Sequence, residues 1–426
     1  MVTDTPTLQK AAEASHRASF FRQSGWLMIS NVTAGVLMYG VHLLSKRIPA
    51  AEYGLFGTLL AVAMCVPTIP LQTVLAQQTA RALATGRERE LAGTIRLIWL
   101  ATFLVTVVLG VVVWMLRESI LRRWEIGNPL AVWVTLAVVL FSLWMPIFWG
   151  VLQGRQNFLW LGWSMMSNGL GRVVVAVLAV AALGGYATGM MTGVLMGLVA
   201  ATVIGLWQTR DLWSGPALPF DWRELARQVV PLMAGFTAFQ FVFTADTMFV
   251  KAYFDGGETG FYVCAGTLSR ALMWAVIPLA TVMFPRLVHS AAKSEKSNLM
   301  GLVLMGTAIL AILGSAALSV LGPWIVPLVA KESYVRVATA VLPWYVGAMV
   351  PLALANVLLS DLLARSKFKV VLPVVLLALA YAFILNHVLA RYHDLVLALK
   401  TLGIFSLLLL GVCVWFAWRE KHPARG

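Results

Sequence analysis

Asp246, Lys251 and Arg270 stand inside stretches so apolar that their charges need a reason. A carboxylate in such a setting can pair with a cation, or take up a proton or a Na+ ion. A guanidinium offers a planar fork that suits phosphate oxygens. Five residues separate Asp246 from Lys251, which puts them about 140° apart on an ideal helix, so the two are not neighbours. Arg270, on the next apolar stretch, is the natural partner for Asp246. That pairing reads either as one an incoming anion breaks or as a purely structural bridge; the alternative for Asp246 is coupling to H+ or Na+. Gln240, Thr244, Thr247 and Lys251 fall near one helix face, and Thr267, Arg270, Trp274 and Thr281 near another.

A second set of polar residues recurs at helical spacing. Ser164, Asn168 and Arg172 follow one another at steps of four, which carries a cation about two turns into a span. Arg172 reads either as a phosphate-binding group or as a structural arginine that caps carbonyls or snorkels to the interface. Asn31, Gly35, Met38 and His42 share a face, a stripe that either lines a cavity or lets Asn31 bond a neighbouring helix. Beyond a bend expected at Pro67 and Pro70, Gln77 and Arg81 lie one turn apart. They read as contacts for a charged headgroup or as a solvated helix end. Enzyme chemistry finds little support: there is no HExxH, no phosphate-cradling Gly-Lys loop and no convincing carboxylate pair, and an integral-membrane glycosyltransferase or ligase would need acidic residues or a basic loop on the outer side, where the loops are very short. Cys65, Cys264 and Cys413 show neither CxxC nor a histidine partner at ligand spacing, so no disulfide, metal site or resident cofactor is expected.

Membrane helices must position all of these residues. Of 426 residues, 60% are apolar and only 12% charged, a balance that excludes an ordinary water-soluble domain. Stretches long enough to cross a bilayer, which takes roughly 20 residues each, run at 24–44, 53–79, 95–116, 129–153, 161–182, 189–208, 229–253, 259–285, 299–320, 337–363, 369–390 and 395–417. The least defined segment is 322–332. The fold class expected is all-α and polytopic, with about 12 transmembrane helices. Its parts are a cytoplasmic amphipathic segment at 1–23, a six-helix lobe at 24–208, a cytoplasmic linker at 209–228, a second six-helix lobe at 229–418 and a tail at 419–426. No removable signal peptide is read in residues 1–23.

The formal charge of +14 is spread singly over short loops, so topology and anionic lipid headgroups explain it and nucleic acid does not. Counted over alternate loops, one side carries twenty Lys and Arg and the other ten. That asymmetry puts both termini in the cytoplasm.

The chain also repeats itself. Glu52-Tyr-Gly-Leu-Phe56 matches Glu258-Thr-Gly-Phe-Tyr262 at an offset of 206. Ile69-Pro-Leu-Gln-Thr-Val74 matches Ile277-Pro-Leu-Ala-Thr-Val282 at 208, and Leu152-Gln-Gly-Arg155 matches Leu362-Leu-Ala-Arg365 at 210. Three collinear matches with six spans in each half make the repeats parallel, and two similar bundles imply alternating access around a central cavity.

With Pro49-Ala-Ala-Glu-Tyr-Gly-Leu-Phe56 after a first span carrying Asn31, the pattern around Asp246, Lys251 and Tyr253, and Leu152-Gln-Gly154, the chain resembles the polysaccharide flippase branch of the multidrug/oligosaccharidyl-lipid/polysaccharide exporter superfamily. The resemblance implies two lobes around a cavity that move undecaprenyl-diphosphate-linked oligosaccharide across a bacterial inner membrane. On that reading Arg270, Lys251, Arg172, Asn31, Gln240, Trp274, Gln77 and Arg81 are substrate-binding residues, with Trp274 stacking on a sugar face, and Asp246 is the coupling residue for H+ or Na+. It implies membrane lipids as surroundings, and a polysaccharide polymerase or glycosyltransferases as partners. A proton- or sodium-coupled drug/cation antiporter is the alternative, and would need a carboxylate-rich cavity. A scramblase or scaffold without transport coupling is a third class, one that tolerates replacement of Asp246 and Arg270.

Overall fold

The computed structural model describes residues 25–218, 222–291 and 299–421. The expected N-terminal segment, residues 219–221 of the linker and the last five residues of the tail lie outside the described residues. In chain order the helices are α1 (Gly25–Lys46), α2 (Ala50–Met64), α3 (Thr68–Thr85), α4 (Glu88–Arg123), α5 (Leu130–Gly154), α6 (Phe158–Leu183), α7 (Tyr186–Gln208), the short α8 (Asp211–Ser214), α9 (Trp222–Tyr253), α10 (Gly256–Ala291), α11 (Leu299–Val329), α12 (Val335–Ala364), α13 (Val371–Tyr392) and α14 (Leu395–Lys421). Among the described residues, 11 helices or jointed helix pairs are long and apolar enough to span a membrane. The twelfth expected span falls in α10, whose side chains at 274–291 lie outside the described residues.

Every expected span meets a helix, and the ends move for physical reasons. Helix α4 gains a polar turn at each end, with Glu88 and Glu90 in the first turn and Arg122 and Arg123 in the last, the charge order that the helix dipole favours. Residues 322–329 continue α11 through Pro323 and Pro327, since neighbouring helices can satisfy the backbone groups a proline frees in a membrane. The bend expected at Pro67 is a full break between α2 and α3. Position 275 is its counterpart under the 208-residue offset. It is Ala, and α10 runs through it unbroken.

The repeat is written into the backbone as well. Gln156 and Ser366 have φ of 57° and 60° just past the ends of α5 and α12, and Gly184 and His393 have φ of 60° and 49° just past α6 and α13. The members of each pair are 210 and 209 residues apart. Non-glycine residues in the left-handed region cost roughly 1–2 kcal/mol, so their recurrence shows that both halves end these helices by the same turn.

Packing divides the chain into two compact units that cut across the sequence halves. Among the described residues, the first takes in those of 25–42, 68–114 and 133–222, and the second those of 43–67, 115–132 and 223–421. Within the first, Gly185, Gly189, Gly193 and Gly197 form a stripe along one face of α7 and its N-cap. That stripe lets the backbone of α7 approach α6, as small residues do where helices associate in lipid. A Cβ on Gly193 would lie 2.6 Å from the Arg172 carbonyl oxygen. The chain after α7 is tied down by Arg96, whose guanidinium donates to the carbonyls of Leu212 at 2.7 Å and Gly215 at 2.6 Å. In the second unit α12 is the most enclosed helix, with Tyr345, Met349, Leu352 and Leu359 fully covered. Lipid-facing positions carry large apolar side chains, such as Val108 and Met115 on α4 and Phe383 on α13.

Candidate functional site

Helix α9 presents Phe243, Asp246, Thr247 and Val250 on one buried face, the i, i+3, i+4, i+7 spacing of an inward stripe. Opposite it, α10 places Tyr262 and Arg270 two steps of four apart with Gly266 between them. That glycine makes room: a Cβ there would fall 2.9 Å from the Tyr345 hydroxyl and 3.2 Å from Arg270 Nη1. Tyr345 itself comes from α12, between Pro343 and Pro351.

The result is a closed charge cluster. Arg270 Nη2 pairs with Asp246 Oδ1 at 2.8 Å and donates to Thr247 Oγ1 at 2.9 Å, while its Nε donates to the Phe243 carbonyl at 3.2 Å. The hydroxyl of Tyr262 donates to Asp246 Oδ2 at 2.8 Å, and Tyr345 donates to the same oxygen. The guanidinium also lies over the Phe243 and Tyr345 rings at 5.6 and 5.4 Å. Asp246, Thr247, Tyr262 and Tyr345 are completely buried, and Arg270 is 7% exposed. Tyr381 of α13 is buried within electrostatic reach of Asp246, and its hydroxyl has no hydrogen-bond partner among the described residues. A buried ion pair needs this many donors to offset its desolvation.

The other expected site residues scatter. Lys251 turns away from Asp246 and pairs with Glu125 at 2.8 Å. Gln240 donates to the Met64 carbonyl at 3.0 Å, and Thr244 touches Cys65 Sγ at 3.5 Å, so both serve the broken end of α2. Asn31, Gln77 and Arg81 are exposed, and the side chain of Trp274 lies outside the described residues. Arg172 is 8% exposed, and its Nε has no hydrogen-bond partner among the described residues. One turn before it, Asn168 is 2% exposed with Oδ1 equally unpartnered among the described residues. Among the described residues Arg172 has no carboxylate within ion-pair distance. Sequence reading missed Glu125, because nothing local links it to a lysine 126 positions away. It also missed Tyr345 and Tyr381 as partners of Asp246, since tyrosines in apolar helices look like interface or core residues.

Outside the spans, Asp211 accepts two hydrogen bonds from Arg155. The Arg155 hydrogen bond, helped by its charge, holds the Asp211 carboxyl below the usual carboxylate range. A depressed pKa contributes stability that is present above the unfolded value of about 3.9 and is lost as pH falls through the folded value. Protection of the 209–215 amides against hydrogen exchange, taken relative to their intrinsic rates, should therefore fall on acidification below about pH 4 in the native protein. In Arg155→Gln that pH dependence should vanish; an unchanged profile would show that the pair carries no weight.

The fold is that of known membrane transporters. An inward-facing multidrug resistance MATE family transporter of the MOP superfamily superposes with a TM-score of 0.70 at 11% identity, over 93% of this chain and 96% of that one. The lipid II flippase MurJ, in an inward closed conformation, gives 0.67 at 11% identity, over 93% and 87%. A MOP superfamily transporter from Pyrococcus furiosus, described as having a binding pocket of reverse polarity, gives 0.55 at 15% identity, over 94% and 93%. No curated protein shows significant sequence similarity to the chain. The family model "Polysaccharide biosynthesis protein" matches residues 20–291, well over half of the sequence. The chain is thus a multi-pass membrane protein of the polysaccharide biosynthesis protein family, built on the MOP transporter fold.

Proposed function

We propose that this MOP-fold transporter is a flippase for lipid-linked oligosaccharide, carrying a prenyl-diphosphate headgroup across a bacterial inner membrane by alternating access with both termini cytoplasmic. The observation that supports this reading is the charge left over inside the spans. Asp246, the one fully buried carboxylate among the described residues, is saturated by Arg270, Tyr262 and Tyr345. Lys251 is neutralised by Glu125, and Arg172 keeps an unused donor with no acid beside it among the described residues. An uncompensated guanidinium at membrane depth is costly unless it serves a ligand, and its fork matches diphosphate oxygens. An organic cation would instead need a free carboxylate. The substrate role thus falls first on Arg172 with Asn168, while Arg270 acts through Asp246. Coupling to H+ or Na+ at Asp246 requires that pair to open first. A polymerase or glycosyltransferase that makes or consumes the cargo is the expected partner.

The test is leaflet exchange of a prenyl-diphosphate oligosaccharide in vesicles reconstituted with wild type, Arg172→Gln and Arg172→Lys. Arg172→Gln should slow exchange at least tenfold with normal insertion and melting, and Arg172→Lys should retain part of the rate, having the charge without the fork. Wild-type inactivity toward such lipids together with proton-coupled efflux of organic cations would replace the flippase reading with the antiporter.

A further inference from the structure

Lys400 on α14 stands in an unusual setting for a cation in a span. Its Nζ lies 4.8 Å from the centre of the Trp344 ring on α12, and both side chains are exposed, the indole by 46%. Arg336, exposed as well, shares the Trp344 face of α12 eight residues nearer its start, about 12 Å along the axis. Among the described residues neither cation has a carboxylate within ion-pair distance. Asp394, the acid nearest to Lys400 in sequence, caps α14 instead, its Oδ1 accepting from the Val396 nitrogen at 2.7 Å. On the side of this pair away from the helix starts, the surface lacks side chains. Gly347, three residues after Trp344, is exposed with no described atom within 4 Å of a Cβ built on it, and a Cβ on Gly403, three residues after Lys400, would lie 3.9 Å from that of Ala348. The two glycines leave a furrow between α12 and α14 that begins at the ammonium. Ile404, Leu407 and Leu408, exposed on the Lys400 side of α14, turn that side to hydrocarbon.

We propose that this surface binds an anionic phospholipid from the leaflet that the Lys and Arg asymmetry assigns to the outside, with its phosphate on Lys400, Arg336 above it and an acyl chain along the glycine furrow. A cation set against hydrocarbon needs a partner. A lysine this close to a helix end can reach the interface on its own, yet the ammonium is held sideways over an indole, which supplies only part of what a counter-ion would. A phosphate completes the arrangement with charge-assisted hydrogen bonds. Because the furrow faces hydrocarbon, its occupant arrives laterally from the bilayer, where phospholipid outnumbers any cargo, and the site stands whatever that cargo is. The lipid also reaches the buried charge cluster. Trp344 is followed by Tyr345, which turns to the opposite, buried side of α12 and donates to Asp246, so a lipid that fixes the indole also fixes the turn that supplies this hydroxyl.

The deciding experiment is native mass spectrometry of the full chain in detergent with phosphatidylglycerol or phosphatidylcholine added, alongside melting in the same mixed micelles. Wild type should retain phosphatidylglycerol at least tenfold better than phosphatidylcholine and melt several degrees higher with it. Lys400→Gln should abolish that preference while melting like wild type in phosphatidylcholine. Gly347→Leu, which fills the furrow and keeps both charges, should cut phosphatidylglycerol retention severalfold. Arg391→Gln removes an exposed cation from the end of α13 on the same side and should change nothing; a loss equal to that of Lys400→Gln would reduce the effect to net charge and overturn the site. Full retention by Lys400→Gln would overturn it too, leaving the lysine a snorkelling side chain. Retention of farnesyl diphosphate with none of phosphatidylglycerol would overturn the phospholipid assignment and make the furrow a contact for cargo.

Discussion

Asp246→Ala is expected to be the most damaging single substitution in the chain, with poor accumulation and a melting temperature far below wild type. It would leave the Arg270 guanidinium, 7% exposed, without its counter-charge, and the Tyr262 and Tyr345 hydroxyls without their shared acceptor. Removing one partner of a buried pair costs about 3–5 kcal/mol, and each stranded hydroxyl adds about 1–3 kcal/mol. The comparison that isolates the charge is a double replacement. Asp246→Leu with Arg270→Met should recover the ion-pair part of the lost stability, the two hydroxyls still lacking their acceptor, because a buried pair exchanged for apolar groups of similar volume is often neutral. Tyr345→Phe should cost far less than Asp246→Ala, since Tyr262 and Arg270 still serve the carboxylate. Melting in detergent of these four proteins checks the ordering; wild-type melting by Asp246→Ala would show that the cluster contributes nothing to the fold.

Gly197→Leu should be nearly as severe by a different route. A Cβ at this position would lie 2.2 Å from the Asn168 carbonyl oxygen and 3.0 Å from the Arg172 nitrogen. Both are backbone atoms of α6, which cannot yield as a flexible side chain does. The two helices must part, and the contact built on Gly189, Gly193 and Gly197 opens along its length. Overpacking costs about 1–3 kcal/mol where side chains can adjust, so a clash of backbone on both sides should exceed that range. Arg172 and Asn168 lie at the contact, so whatever Gly197→Leu protein inserts should also flip poorly. Gly347→Ala in α12 and Gly411→Ala in α14 are the controls, because nothing lies within 4 Å of either Cβ. Both should express and melt like wild type. A normal Gly197→Leu protein beside them would show that the helices are less tightly joined.

The architecture was legible because lipid imposes a crude, long-range code. Twelve apolar stretches could only be helices, and two offset copies of a motif could only be a repeat. The pairing of Asp246 with Arg270 was also legible, since adjacent spans carrying opposite charges have few other solutions. Its hydroxyl donors were not: Tyr345 is 99 positions from Asp246, and sequence periodicity carries no information between helices. The same limit hid Glu125 behind Lys251. The break at Pro67 was visible, but its completeness depended on Gln240 and Thr244 from α9 being present to hold the freed end. The interleaving of the packing units was hidden too, because hydropathy ranks how buried a span is and says nothing of which neighbours bury it.

Proline at 67 with alanine at the equivalent 275 has a mechanical consequence. Helix α10 runs unbroken for 36 residues, about 54 Å from end to end, with Pro278 and Pro285 inside it, so a tilt at its first turn passes along one continuous helix that yields only where those prolines free the backbone. Its sister in the other repeat is a two-piece linkage whose halves can rotate about a short pivot. Torque applied to the two repeats is thus handled unequally, one bending only at its internal prolines and the other turning at a break in the helix. The two copies of one motif serve as a crank in one repeat and a hinge in the other.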